Sequence, residues 1–369
     1  MKVLHFFVKD LGGEFPSDRF PIVATSFGEV VPEEIANVYS GYFTASGLAP
    51  VRIRLRMEDI SVGSTKAVLR VDLKLFAFGV VILEYLIEPT SPVADPNQLF
   101  HARSVERASG ETVTLNALWQ ADMALLRDRL YRDIKREYDD PAFTDHFHLF
   151  IDHEKRPEEE AMAILLPGEE SYSTPIKRRI VQRIQLWEES ESCYIMGSRG
   201  YLGTALNPFD IVNFMQLARM QLYELKVYDH ILDKSIEDTY AFLDKLPQTN
   251  SVLPFSWLHR EFQEQVQHAT KLLAVRMDLV DLVKDITNTT KITDDPYFEL
   301  VYRNLMDAFR VREWFDSVKD KIEEVEASQK MILDRLDMVR STTLEMTIIA
   351  LIAVEIIVPF GHWIMSFVR

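Results

Sequence analysis

From Thr347 to Val368 the sequence reads TIIALIAVEIIVPFGHWIMSFV, a nearly unbroken apolar run whose one formal charge is Glu355. As a helix it is roughly 33 Å long, enough for a hydrocarbon core of ~30 Å. A buried soluble helix usually interleaves polar positions to wet one side, so the run predicts a single C-terminal transmembrane helix. Pro359 kinks such a helix, and His362 and Trp363 suit an interface. Lys330, Arg335 and Arg340 precede the run and only Arg369 follows it, so the positive-inside bias keeps the preceding residues in the cytoplasm. The N-terminal MKVLHFFVKDLGG has too brief an apolar stretch for a secretory signal, and its Asp10 and lack of Arg argue against a mitochondrial presequence. The location predicted is a bacterial-type cytoplasmic (inner) membrane, crossed once.

Upstream, Val318, Ile322, Val325, Gln329, Ile332, Leu336, Val339, Thr343 and Met346 alternate spacings of four and three. That is the a/d seam of a left-handed coiled coil and predicts a homo-oligomer. The competing arrangement is a hairpin inside one chain, against the apolar stripe running from Leu258 to Ile286. Continued inward, the heptad phase puts Ala350, Ala353 and Ile357 on the seam and leaves Glu355 off it. A lone carboxylate facing lipid is costly, so Glu355 is read as a neutral structural acid or as an ion or proton site in a bundle.

The rest of the chain divides near residue 206. Asn207, Pro208 and Asp210 make a helix start, and a helix to about residue 246 follows. Before that point the apolar period changes to two. VRIRLRM (51–57) and KAVLRVDLKLFAFGVVILEY (66–85) read as paired strands joined by the polar turn EDISVGST. Further strands are expected at 3–8, 146–151, 162–166 and 193–197, with helices near 32–40 and 117–138. The fold class expected is an α+β N-terminal domain (1–206) followed by long helices (207–312), a coiled-coil stalk (313–346) and one transmembrane helix (347–368). The share of glycine, 13 residues in 369, agrees with helix dominating.

A net charge of −16 opposes nonspecific attraction to nucleic acid over the whole surface, and no DNA partner is expected. Against that background, Arg52, Arg54 and Arg56 with Lys66, Arg70 and Lys74 fall at strand spacing on one face of a hairpin. They form a candidate anion or RNA face, or a solvated face neutralised by carboxylates such as Asp72. His146 and His148 share one side of a strand with His153 just beyond, a weak metal set flanked by Asp152 and Glu154. GSRGYLG (197–203) lacks the spacing of a phosphate loop and reads as a strand end and turn. Cys193, the only cysteine, excludes an intramolecular disulfide and sits in an apolar stretch with no nearby His. No catalytic motif and no cofactor motif is present.

Three blocks resemble the "required for meiotic nuclear division" family: LEMTIIALIAVEII (344–357), NFMQLARMQLYELKVYDHILDKSIEDTYAFLDKLP (213–247) and FAFGVVILE (76–84). The resemblance makes Glu345 and Glu355 the family's terminal acids. It departs from that family's pattern at DDPYFELVY (294–302), which lacks a Trp after the Phe, and at Ala218, Arg219 and Met220. It implies an oligomeric, single-span inner-membrane protein, with the ribosome or RNA as candidate partners. The function expected is a membrane-anchored homo-oligomeric scaffold whose cytoplasmic domain binds a partner, without catalysis. The alternative is an oligomeric ion channel or transporter with Glu355 in the path; an enzyme using the histidines stands third.

Overall fold

In the computed structural model the described residues are 1–31, 50–93, 95–136, 143–166, 173–186, 190–205, 207–245 and 292–367. The helix expected near 32–40 and the apolar stripe from Leu258 to Ile286 lie outside them. Two compact units form. One comprises Met1–Leu225 and Lys284–Trp314, the other Lys226–Val283 and Phe315–Arg369.

The described strands are β1 (Lys2–Asp10), β2 (Gly13–Glu14), β3 (Glu29–Val30), β4 (Val51–Val62), β5 (Thr65–Leu75), β6 (Val80–Pro89), β7 (Ser104–Arg107), β8 (Thr112–Thr114), β9 (Lys135–Arg136), β10 (Asp145–Asp152), β11 (Gln182–Ile184), β12 (Ser192–Met196) and β13 (Arg199–Gly203). The helices are α1 (Phe20–Thr25), α2 (Pro96–Phe100), α3 (Leu115–Asp133), α4 (Glu158–Leu165), α5 (Thr174–Ile180), α6 (Phe209–Lys245), α7 (Pro296–Ala308) and α8 (Val311–Phe367). Among the described residues, eleven strands make one mixed sheet in the order β11-β12-β13-β10-β1-β6-β5-β4-β7-β8, with β3 on β4. The β10–β13 pair is parallel and the others are antiparallel. The N-terminal region is therefore sheet-rich, although the low glycine content favours helix. Few glycines are needed because tight turns meet the demand for positive φ with single residues, as at Gly63 (φ 58°) between β4 and β5.

Strand alternation decides what faces what. Val3, Phe7, Leu69, Val71, Leu73, Leu83 and Tyr85 point to the face that carries the main apolar core, along with Leu118, Leu126 and Leu130 of α3. The opposite face meets α6, whose side chains reach the sheet at Lys74 and Glu84. The segment 66–85 divides into two strands at Phe76–Gly79, where Phe76 N donates to Val80 O and Gly79 N to Phe76 O. The strand expected at 162–166 is instead α4. Glu158, Glu159 and Glu160 occupy its first turn, where the helix dipole favours carboxylates, and Ala161, Met162, Ile164 and Leu165 are buried. The polar turn assigned to 58–65 shrinks to Gly63 and Ser64, because β4 continues to Val62.

The C-terminal transmembrane helix is not supported. Among the described residues no helix is long and apolar enough to cross a membrane. α8 itself continues to Phe367. The single-pass inner-membrane location falls with the span. Within the second unit, Val318 and Val325 of α8 are buried. There Lys321 Nζ lies 2.7 Å from Asp229 and 2.6 Å from Asp233 of α6.

Candidate functional site

Cross-strand register brings the basic residues of β4 and β5 together, and a bulge then divides them. Arg52 pairs with Lys74 and Arg54 with Asp72, but the register shifts between Arg54 and Arg56, so Arg56 pairs with Val71. One extra residue moves every following side chain to the opposite face. Arg56 accordingly leaves the stripe for the core side. There Nη1 and Nη2 donate to Asp122 of α3 at 2.5 and 2.8 Å, and Tyr85 Oη donates to the same carboxylate at 2.7 Å. Lys66 keeps the parity of Arg70 but is exposed at the far end of β5.

Arg52, Arg54, Arg70 and Lys74 remain together around two buried acids. Asp72 Oδ1 accepts from Arg54 Nε at 2.6 Å, while Oδ2 lies 2.9 Å from Arg52 Nη2 and 3.1 Å from Arg70 Nε. Glu84 takes Arg52 Nη2 at 2.7 Å, Lys74 Nζ at 3.2 Å and Gln216 Nε2 at 2.6 Å. Lys74 also donates to Asn213 and Gln216 of α6 at 2.7 and 2.8 Å. Burial alone would raise the Glu84 carboxyl. The Lys74 and Arg52 charges and the Gln216 amide outweigh it and hold the group at about 2.

The first turn of α6 rests on this cluster. Asn207 Oδ1 accepts from Phe209 N at 3.2 Å, and the Phe209 ring lies 5.8 to 5.9 Å from Arg52 Cζ, Arg70 Cζ and Lys2 Nζ. Neither Phe209 nor Asn213 and Gln216 figured among the site residues read from the sequence. The helix start at Asn207 was visible, but not the strands it would meet.

The histidines are arranged differently from the expected metal set. His146 and His148 share a face of β10, and His153 lies just past its end. Among the described residues no group of three or more His, Cys, Asp or Glu is placed to hold a metal ion. Their neighbour is His5 of β1, directly opposite His148, with the two Nδ1 atoms facing each other. Burial, then the neighbouring His148 and His146, pushes His5 well below the usual imidazole range. Burial, then His146 and Arg199, brings His148 down to about 4. Both are neutral at pH 7. Glu345 and Glu355 are exposed on α8, with Ser341 Oγ 3.5 Å from Glu345. Cys193 is buried and its thiol is pushed up by that burial.

Comparison with known proteins corrects the family reading. Residues 31–172 match a family described as "Uncharacterized protein MJ0711, N-terminal domain", with no link to the meiotic nuclear division family. Two of the three blocks behind that resemblance lie wholly outside the match. Their apolar spacing is what any helix packed on a sheet or on another helix carries, and 76–84 is a turn and strand of the core. No solved structure matches the chain. The chain is similar to "Uncharacterized protein MJ0711" of Methanocaldococcus jannaschii, at 25% identity over 150 residues, which are 41% of this chain and 42% of that one.

Proposed function

We propose that the protein is a self-associating scaffold in which α8 joins copies of the chain and the sheet-bearing unit engages a partner. The observation behind this reading is the apolar end of α8. Ile348, Ile349, Leu351, Ile352, Ile356 and Ile357 are each 50–67% exposed and point to every side of the helix. A helix that is apolar all round is stable only when covered, and patches beyond a few hundred Å² are rare on monomers. A second copy is the occupant favoured, because beyond Val325, which is already buried within the chain, the heptad spacing of the sequence runs on to Met346 and continues through Ala350, Ala353 and Ile357.

Sedimentation equilibrium of the full chain without detergent tests it. The expected mass is a multiple of 42.8 kDa, shifted toward one chain by Ala350→Glu and Ile357→Glu. A monomeric wild type at tens of micromolar removes the proposal. So does flotation with lipid vesicles in place of self-association.

A further inference from the structure

Two arginines of the sheet have donors with no oxygen partner among the described residues. Asp72 divides two oxygens among three guanidiniums, and each guanidinium carries five N–H donors in a rigid fork. Arg54 engages Asp72 through Nε, and beyond that its Nη1 meets only the sulfur of Met57 at 3.7 Å. Arg70 has Nε 3.1 Å from Asp72 Oδ2 as an ion pair without a hydrogen bond, and Cζ 5.9 Å from the centre of the Phe209 ring. The terminal nitrogens of both therefore have no oxygen partner among the described residues. Their side chains are 26% and 17% exposed, so solvent reaches them while their stems are held.

The surroundings carry both signs, with Glu29 of β3 directly opposite Arg54, so it is the unused donors that favour an anion there. Arg52 and Lys74 add two further cations behind Asp72 and Glu84. Lys2, paired with Glu88 at 2.7 Å, lies 5.9 Å from the centre of the Phe209 ring. The N-terminal end of α6, with Asp210 in its first turn, brings a partial positive charge to the same place. Met57, directly opposite Arg70, is 58% exposed, and among the described residues no helix covers it.

We propose that Arg54 and Arg70, held by Asp72 beside Phe209, form a binding site for a phosphate-bearing anion. Paired guanidiniums match the spacing of phosphate oxygens, and a tetrahedral dianion accepts more hydrogen bonds than the one carboxylate now shared. Asp72 is the built-in spacer: it lies 2.6 and 3.1 Å from the Nε atoms of Arg54 and Arg70 and so restrains both guanidiniums before a ligand arrives. The site does not depend on self-association through α8.

Isothermal titration calorimetry of the full chain with pyrophosphate and with inorganic phosphate, in chloride at constant ionic strength, tests it. One saturable site per chain is expected. Arg54→Gln and Arg70→Gln should each weaken it at least about tenfold, the scale of one charge-assisted hydrogen bond. Arg56→Gln, on the opposite face, should leave the affinity unchanged. Should a glutamine variant fail to fold, Arg70→Lys keeps the charge without the fork and should still bind several-fold more weakly. Poly-U bound with the same dependence on Arg54 and Arg70 and a steep fall with salt supports the site and assigns the phosphate to a nucleic-acid backbone. Pyrophosphate bound without poly-U assigns it to a free anion. No saturable binding by the wild type, or equal affinity in the glutamine variants, overturns the proposal.

Discussion

Arg54 and Asp72 occupy directly paired positions on β4 and β5, with Nε 2.6 Å from Oδ1, and the carboxylate is only 1% exposed. A buried acid that three guanidiniums share is an organising charge. Removing it leaves like charges facing one another in a region of low dielectric, which costs more than the lost pairing alone.

Asp72→Asn is therefore expected to destabilise the sheet unit by about 3–5 kcal/mol, the range for breaking a buried ion pair. Urea unfolding followed by far-UV circular dichroism reads it. A loss below about 1 kcal/mol would show that the arginines are neutralised from elsewhere.

Acid should weaken the fold through the facing imidazoles. An unfolded His titrates near 6.5, whereas His148 is held at about 4 and His5 well below the usual imidazole range. Between those limits the unfolded chain binds more protons, so stability is complete above pH 6.5 and declines as pH falls toward 4. For His148 alone the loss is about 3 kcal/mol. Melting temperatures from pH 7.5 to 4 should fall in the wild type and fall less steeply in His148→Phe; parallel curves would contradict the assignment.

Gly79 closes the β5–β6 turn at φ 83°, and a Cβ there would meet the carbonyl oxygen of Gly13 at 1.7 Å. Backbone cannot yield as a side-chain tip can. Gly79→Ala is expected to cost at least about 2 kcal/mol, whereas Gly110→Ala, with φ 83° and open space, should carry only the strain of its backbone. Thermal melts of the two variants side by side measure the difference.

Two ion pairs should separate by environment. Arg219 is 4% exposed, lies over the Phe147 and Phe309 rings and holds Asp145 at 2.5 Å. Lys321, with its side chain 25% exposed, bridges Asp229 and Asp233. Arg219→Met leaves a buried carboxylate and should cost about 3–5 kcal/mol, while Lys321→Gln should cost less than about 1 kcal/mol and lose even that in high salt. Denaturation at 0.05 and 1 M NaCl distinguishes them.

What the sequence determined by itself was local. Alternation marked β4, β5, β10 and β12, and Asn207–Pro208 marked the start of α6, because strand period and helix capping act over a few residues. Apolar runs were more ambiguous. Residues 162–166 look the same as a strand or as the buried side of a short helix, and Thr347–Val368 is greasy whatever covers it. The tertiary structure decided which faces meet. His5 and His148, 143 positions apart, are neighbours only because β1 and β10 pair, and Phe209 reaches the arginines only because α6 lies on that side of the sheet. The bulge after Arg54 turned Arg56 to the core, an outcome that pairing partners fix and spacing cannot, since a shift of one residue reverses every side chain beyond it.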